Sequence, residues 1–94
     1  MKEVYGNDKY KILCVTLSVG EAMPLHHATS DAFVICKKGK GRLSFIDRQV
    51  TLGAGDTLLI KEREPHKMEI LDNFSACIIL DADGRIDFND VKTF

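Results

Sequence analysis

The stretch Gly20-Glu-Ala-Met-Pro-Leu-His26-His27-Ala-Thr-Ser-Asp-Ala-Phe-Val-Ile-Cys-Lys-Lys-Gly39 decides the fold, together with Gly55-Asp-Thr-Leu-Leu-Ile-Lys-Glu-Arg-Glu-Pro-His66 further along the chain. All three histidines of the protein lie in these two segments. Two of them are adjacent, and the third follows far along the chain, so only folding can bring all three together. The functional question is therefore whether the two segments converge in one cavity.

Length and composition predict one small globular domain. The chain has 94 residues, 45% hydrophobic and 29% charged, with a net charge of −1. It has no apolar run of the roughly 18 to 20 residues that a membrane span needs, and no signal-peptide pattern. Its only basic cluster, at residues 37–42, is short and lacks interleaved aromatic residues, which argues against a nucleic-acid partner. We expect a cytoplasmic single domain over residues 1–94, with an arm at 1–8 and a C-terminal strand and tail at 84–94.

The cysteines predict no covalent framework. Cys14, Cys36 and Cys77 are odd in number, far apart and without a CxxC pair. In this pattern they are typical of small buried apolar side chains in a reducing compartment, and neither a disulfide framework nor a zinc knuckle is expected.

Short apolar runs, separated by turn residues, recur along the chain. The first spans residues 10–19, is rich in apolar and β-branched residues, and ends at Gly20. Further runs lie at residues 32–36, 42–46, 49–52, 57–60, 66–70, 75–80 and 85–88. Eight or nine strands at roughly ten-residue spacing, without helical periodicity, predict an all-β sandwich or barrel.

Alternation along the strands predicts which side chains face inward. Lys67 and Glu69 share the solvated face of the strand at 66–70, so His66 should point into the barrel. In the strand at 32–36 both faces are apolar, which predicts that Phe33 and Ile35 are covered by the N-terminal segment or by a second subunit. A homodimer is therefore expected.

The spacing of these landmarks resembles that of the cupins, which are double-stranded β-helix (jelly-roll) barrels. The glycines of the first cupin motif match Gly20 and Gly39, and its first histidine matches His26. The opening glycine of the second motif matches Gly55, and its histidine matches His66. The resemblance covers residues 20–70 and implies a cupin barrel for the whole domain.

The cupin metal ligands are only partly present. In metal-binding cupins two histidines and a glutamate of the first motif, with the histidine of the second, hold the ion. Ala28 stands at the second histidine position and Ala32 at the glutamate position. Only His26 and His66 carry over directly, and the proline, second glycine and asparagine of the second motif are also replaced.

Two neighbouring residues offer compensation. His27 lies one residue before the empty histidine position and Asp31 one residue before the empty glutamate position. A bulge that skips one residue would turn both toward His26 and His66, which suits Zn, Ni, Fe(II) or Mn. Without the bulge, His27 points away from the site, since a one-residue offset places a side chain on the opposite face.

Two function hypotheses follow. The first is a small-molecule-binding cupin with a degenerate divalent-metal site at His26, His27 and His66; the resemblance then implies metal-dependent oxygenase- or isomerase-type chemistry. The second is a metal-free barrel that serves as a ligand sensor or interaction module. Cys36 and Met68, on the inward face, are candidate ligand-binding residues, although a packed thiol and an ordinary core methionine are the alternatives.

Overall fold

The computed structural model describes residues 1–88, and this part of the chain is entirely β-structure and connections. It forms no helix that could cross a membrane. The eight strands are β1 (Lys2–Gly6), β2 (Tyr10–Leu17), β3 (Ala22–Ala28), β4 (Ala32–Ser44), β5 (Gln49–Gly53), β6 (Thr57–Ile60), β7 (His66–Asp81) and β8 (Ile86–Asp87). The predicted all-β class is thereby confirmed.

One long strand organises the curled sheet. β7 pairs antiparallel with β2, β3 and β4, and β4 pairs in turn with β5 and β6. β1 extends the sheet beyond β2, and β8 pairs with β3. The curled sheet encloses a core built from alternate residues of these strands: Val15, Ala28, Ala32, Val34, Cys36, Leu43, Phe45, Leu52, Ile60, Met68, Ile70, Phe74 and Ala76.

Two of the predicted strand boundaries are wrong. Residues 32–36 and 42–46 belong almost entirely to the single strand β4, and residues 66–70 and 75–80 both lie in β7. The register between β4 and β7 shifts three times between Cys36 and Gly41, where Gly39 adopts a φ of 80°. Such bulges bend a strand sharply while its pairing continues. The glycines and polar residues that resemble turn signals therefore mark bends within strands.

The N-terminal arm is also more ordered than predicted. Residues 2–6 form β1, which pairs only with β2 and is exposed along its whole length. Burial was the signal that sequence reasoning required for a strand, and β1 has none. At the other end, residues 84–88 contribute the short strand β8, while the remainder of the predicted tail lies outside the described residues.

Two of the three cysteines are paired, contrary to the expectation of three free thiols. Cys14 of β2 and Cys77 of β7 occupy directly opposite positions with Cα atoms 4.2 Å apart, and they form a disulfide. Because the pair is separated by 63 positions in sequence, only the strand register reveals it. Cys36 is a buried free thiol, as expected.

Candidate ligand-binding site

The barrel encloses a cavity with about 40 Å³ for the centres of water-sized groups. That space suits roughly three such groups, hence one end of a small molecule. Apolar side chains such as Leu43, Met68 and Phe74 make most of the wall, and the half-exposed Met1 lines the cavity as well. His26 and His66 contribute its polar atoms. The site is therefore an apolar chamber that contains two imidazoles.

Strand pairing brings these two histidines together. His26 of β3 and His66 of β7 are direct register partners, and their ring centroids lie 4.2 Å apart at an interplanar angle of 64°. Both side chains are buried, with 4% and 5% exposure. The register of β3 shifts between Met23 and His26, so the strand is bulged just before the pair. The cavity thus depends on β3 and β7 lying side by side.

Backbone carbonyl groups set the tautomer of both rings. The Nδ1 atom of His26 lies 2.7 Å from the carbonyl oxygen of Pro24, and Nδ1 of His66 lies 2.9 Å from that of Glu64. A carbonyl oxygen only accepts hydrogen bonds, so each Nδ1 carries the proton and donates it. Each Nε2 is left with a lone pair, which can accept a hydrogen bond or bind a metal ion.

Burial keeps both imidazoles uncharged at neutral pH. Removal from water lowers the pKa of His26 to about 4, and the neighbouring His66 and His27 lower it further, whereas the hydrogen bond to Pro24 opposes the shift. Burial also lowers the pKa of His66, against the opposing effect of the Glu64 carbonyl and carboxylate. The cavity therefore presents two neutral acceptors and no positive charge.

We expect the free energy of unfolding to fall as pH decreases from about 6.5 to 4. The unfolded chain protonates its histidines near pH 6.5, whereas folded His26 does so only near pH 4, so the unfolded state binds more protons in this window. At about 1.4 kcal/mol per pKa unit, His26 accounts for a loss on the order of 3 kcal/mol. Urea unfolding across this range measures the loss. A His26→Asn variant with an equally steep pH dependence would contradict the assignment.

Arg48 holds His66 from two sides. Its guanidinium forms hydrogen bonds of 2.9 and 3.2 Å with the carboxylate of Glu64, the residue whose carbonyl accepts the His66 proton. The same guanidinium lies 4.0 Å from the ring centroid of Phe45, which packs against His66 at 5.5 Å. Sequence reasoning read Asp47 and Arg48 as a simple turn, and no local signal links Arg48 to a histidine eighteen positions away.

The other candidate residues lie elsewhere. His27 is buried, with 7% exposure, but it does not line the cavity, and its Nε2 has no hydrogen-bond partner within residues 1–88. Asp31 accepts a hydrogen bond of 2.7 Å from the backbone N–H of Glu62 and so caps the loop after β6. Cys36 is fully buried outside the cavity wall, and burial raises the pKa of its thiol. Met68 lines the cavity beside the histidines.

The residues present do not make a complete metal site. Within residues 1–88, no three side chains of the histidine, cysteine, aspartate or glutamate type are grouped so that they could hold a metal ion. Zinc sites in proteins normally use at least three protein ligands. The bulge in β3 precedes His26, and His27 remains outside the cavity. The barrel therefore offers two imidazole ligands and no carboxylate.

Comparison with known proteins agrees with this architecture. The family model for the cupin domain matches residues 13–82. No curated protein sequence matches the chain. A cupin-2 domain protein from Shewanella frigidimarina has a TM-score of 0.75 at 21% identity, with 85% of this chain and 78% of that chain covered.

Two further structures are similar in fold. KdgF from Halomonas sp. has a TM-score of 0.78 at 16% identity, over 86% of this chain and 77% of that one. The polyketide cyclase RemF from Streptomyces resistomycificus has a TM-score of 0.77 at 17% identity, over 94% and 65%. The matched family model, the curled antiparallel sheet and the inward histidines lead to one conclusion: this chain belongs to the cupin domain family.

Proposed function

We propose that the barrel binds a small uncharged organic molecule that has an apolar body and a hydroxyl or N–H group. The observation that carries the proposal is the pair of buried, neutral imidazoles whose Nε2 atoms are left as acceptors in an otherwise apolar wall. A donor on the ligand would satisfy one or both of them, and an apolar body would contact Leu43, Met68 and Phe74. A polyketide cyclase of the same fold lends support to a small organic ligand.

Binding of phenol, compared with toluene, tests this proposal. The two molecules share a ring, but only phenol can donate a hydrogen bond to a neutral imidazole. We expect phenol to bind roughly three- to tenfold more tightly, because such a bond contributes about 0.5 to 1.5 kcal/mol. Amide chemical shifts of ¹⁵N-labelled protein, followed during titration, give both affinities and show whether residues around the cavity respond.

Two histidine variants make matched controls. His66→Ala should abolish the preference for phenol, whereas His27→Ala removes an equally buried imidazole outside the cavity and should leave the preference intact. The proposal fails if the shifts do not saturate at cavity residues, or if His66→Ala keeps the full preference. Benzoate should bind more weakly than phenol, since burying a carboxylate beside neutral imidazoles is costly.

A second candidate function is binding of one divalent ion, Zn, Ni, Fe or Mn, by His26 and His66. The supporting observation is that both Nδ1 atoms donate to carbonyl oxygens, the arrangement that orients histidines in metal sites. An ion held without a carboxylate would keep the site positive and favour anions. Repeating the titration with nickel chloride distinguishes the two: with a bound ion, benzoate should overtake phenol in the wild type but not in His66→Ala.

The cytoplasmic location remains a prediction from the sequence. Cytosolic thiols are kept reduced, so in that compartment Cys14 and Cys77 would exist largely as a facing dithiol, whereas an oxidising compartment would maintain the disulfide.

A further inference from the structure

An apolar surface covers the outside of the barrel, where solvent would normally meet polar side chains. Its first row crosses four strands through register partners: Ile79 of β7 lies opposite Ile12 on one side and Phe33 on the other, and Phe33 lies opposite Leu59. Phe33 and Leu59 are 38% and 47% exposed. An antiparallel sheet with a solvated face alternates apolar and polar residues, and this row departs from that pattern.

A second row runs beside the first. It consists of Cys14, Cys77, Ile35 and Thr57, again joined by direct register pairs. The Cys14–Cys77 disulfide therefore lies at the centre of the surface, which we call the outer face. The two rows contain no charged residue. The exposed charges of Lys37 and Asp81 lie beyond the opposite ends of these rows, so an apolar centre has a polar rim, as in protein interfaces.

The occupant that fits the outer face is a second copy of this chain. Four strands about 4.8 Å apart, with eight-residue pairing along β2, make a sheet surface of roughly 500 Å² in projection, and Tyr5 of the adjoining β1 extends the first row by another strand. A standard interface takes about 800 Å² of accessible surface from each partner. Two such faces pack flat against each other as sheets in a sandwich do, and a net charge of −1 causes little repulsion.

We propose that the protein is a two-fold homodimer whose subunits pack outer face against outer face. In this arrangement Phe33 and Ile35 are covered in both subunits, which accounts for the strand whose two sides are apolar. The cross-strand cysteine pair becomes enclosed between the subunits. Dimerisation and access of reductants to Cys14 and Cys77 are therefore coupled.

Sedimentation equilibrium of the full chain, from low micromolar to submillimolar concentration, tests the dimer. We expect twice the chain mass of 10.5 kDa. Phe33→Asp should weaken association roughly 100-fold or more, because a two-fold axis introduces the charge twice into an apolar centre. Ile46→Asp alters a more exposed apolar residue, outside both rows, and should leave association unchanged. A monomeric wild type, or a dimer that Phe33→Asp leaves intact, would overturn the proposal.

Reduction of the disulfide gives an independent readout that needs no variant. The rate at which a soluble phosphine reduces Cys14–Cys77 should fall as protein concentration rises through the dimerisation range. In Phe33→Asp the rate should be fast at every concentration, and circular dichroism shows whether that variant is folded. A wild-type rate that does not change with concentration, while the mass doubles, would place the dimer interface elsewhere and refute the outer-face arrangement.

Discussion

Gly39→Ala should prevent the barrel from folding. A Cβ atom at this position would overlap the carbonyl oxygen of Asn73 and lie 2.5 Å from the Asn73 carbonyl carbon and 2.9 Å from the Asp72 oxygen. These are backbone atoms of β7, the strand that pairs with β2, β3 and β4, so they cannot retreat without disturbing the whole sheet. The left-handed φ of 80° adds further strain.

We expect a loss of roughly 4 kcal/mol or more, a large part of the 5 to 15 kcal/mol that stabilises a typical domain. Circular dichroism and urea unfolding measure it. Gly55→Ala is a matched control: Gly55 has a similar φ of 89°, but an added Cβ would meet nothing within 4 Å. That variant should lose only about 1 to 2 kcal/mol, the cost of a left-handed conformation. Equal losses in the two variants would show that the contact with β7 is unimportant.

Phe74→Ala should be the most damaging truncation in the core. The side chain is 1% exposed, lines the cavity, and lies directly over Gly41, where an added Cβ would be 3.1 Å from its ring. Removing a fully buried phenylalanine costs about 3 to 5 kcal/mol, since the transfer energy is lost and a void remains. For a domain of this size the melting temperature should fall by roughly 15 °C or more.

Ile46→Ala provides the comparison. Ile46 is 74% exposed in the loop after β4, and its truncation should change stability by no more than about 0.5 kcal/mol. Thermal unfolding of both variants, followed by circular dichroism, gives the difference. If Phe74→Ala melts within a few degrees of Ile46→Ala, the cavity wall is not the stabilising centre that its burial indicates.

The all-β class and the cupin barrel were predictable because they depend on local patterns. Alternation placed His66, Met68 and Ile70 on one face, and all three are buried in the structure. The strand boundaries were less predictable, because a bulge and a turn use the same residue types. Gly39 bends a continuous strand, although its neighbours resemble a hairpin connection.

The site itself was predictable only in part. Motif spacing singled out His26 and His66, but the distance between the rings comes from the register of β3 against β7. The proton on each Nδ1 follows from carbonyl groups whose position depends on the local backbone. The contact of Arg48 with Glu64 and Phe45 involves residues scattered over three segments, and no sequence pattern marks it.

The sequence by itself determined the class of fold, the family and the two inward histidines, since apolar alternation and motif spacing are properties of neighbouring residues. The tertiary structure alone decided that Cys14 faces Cys77, that His27 lies outside the cavity and that two apolar rows align on the outer face. The reason is physical: each of these depends on the register between strands that are distant in sequence, and register is set by how the whole sheet packs and bends.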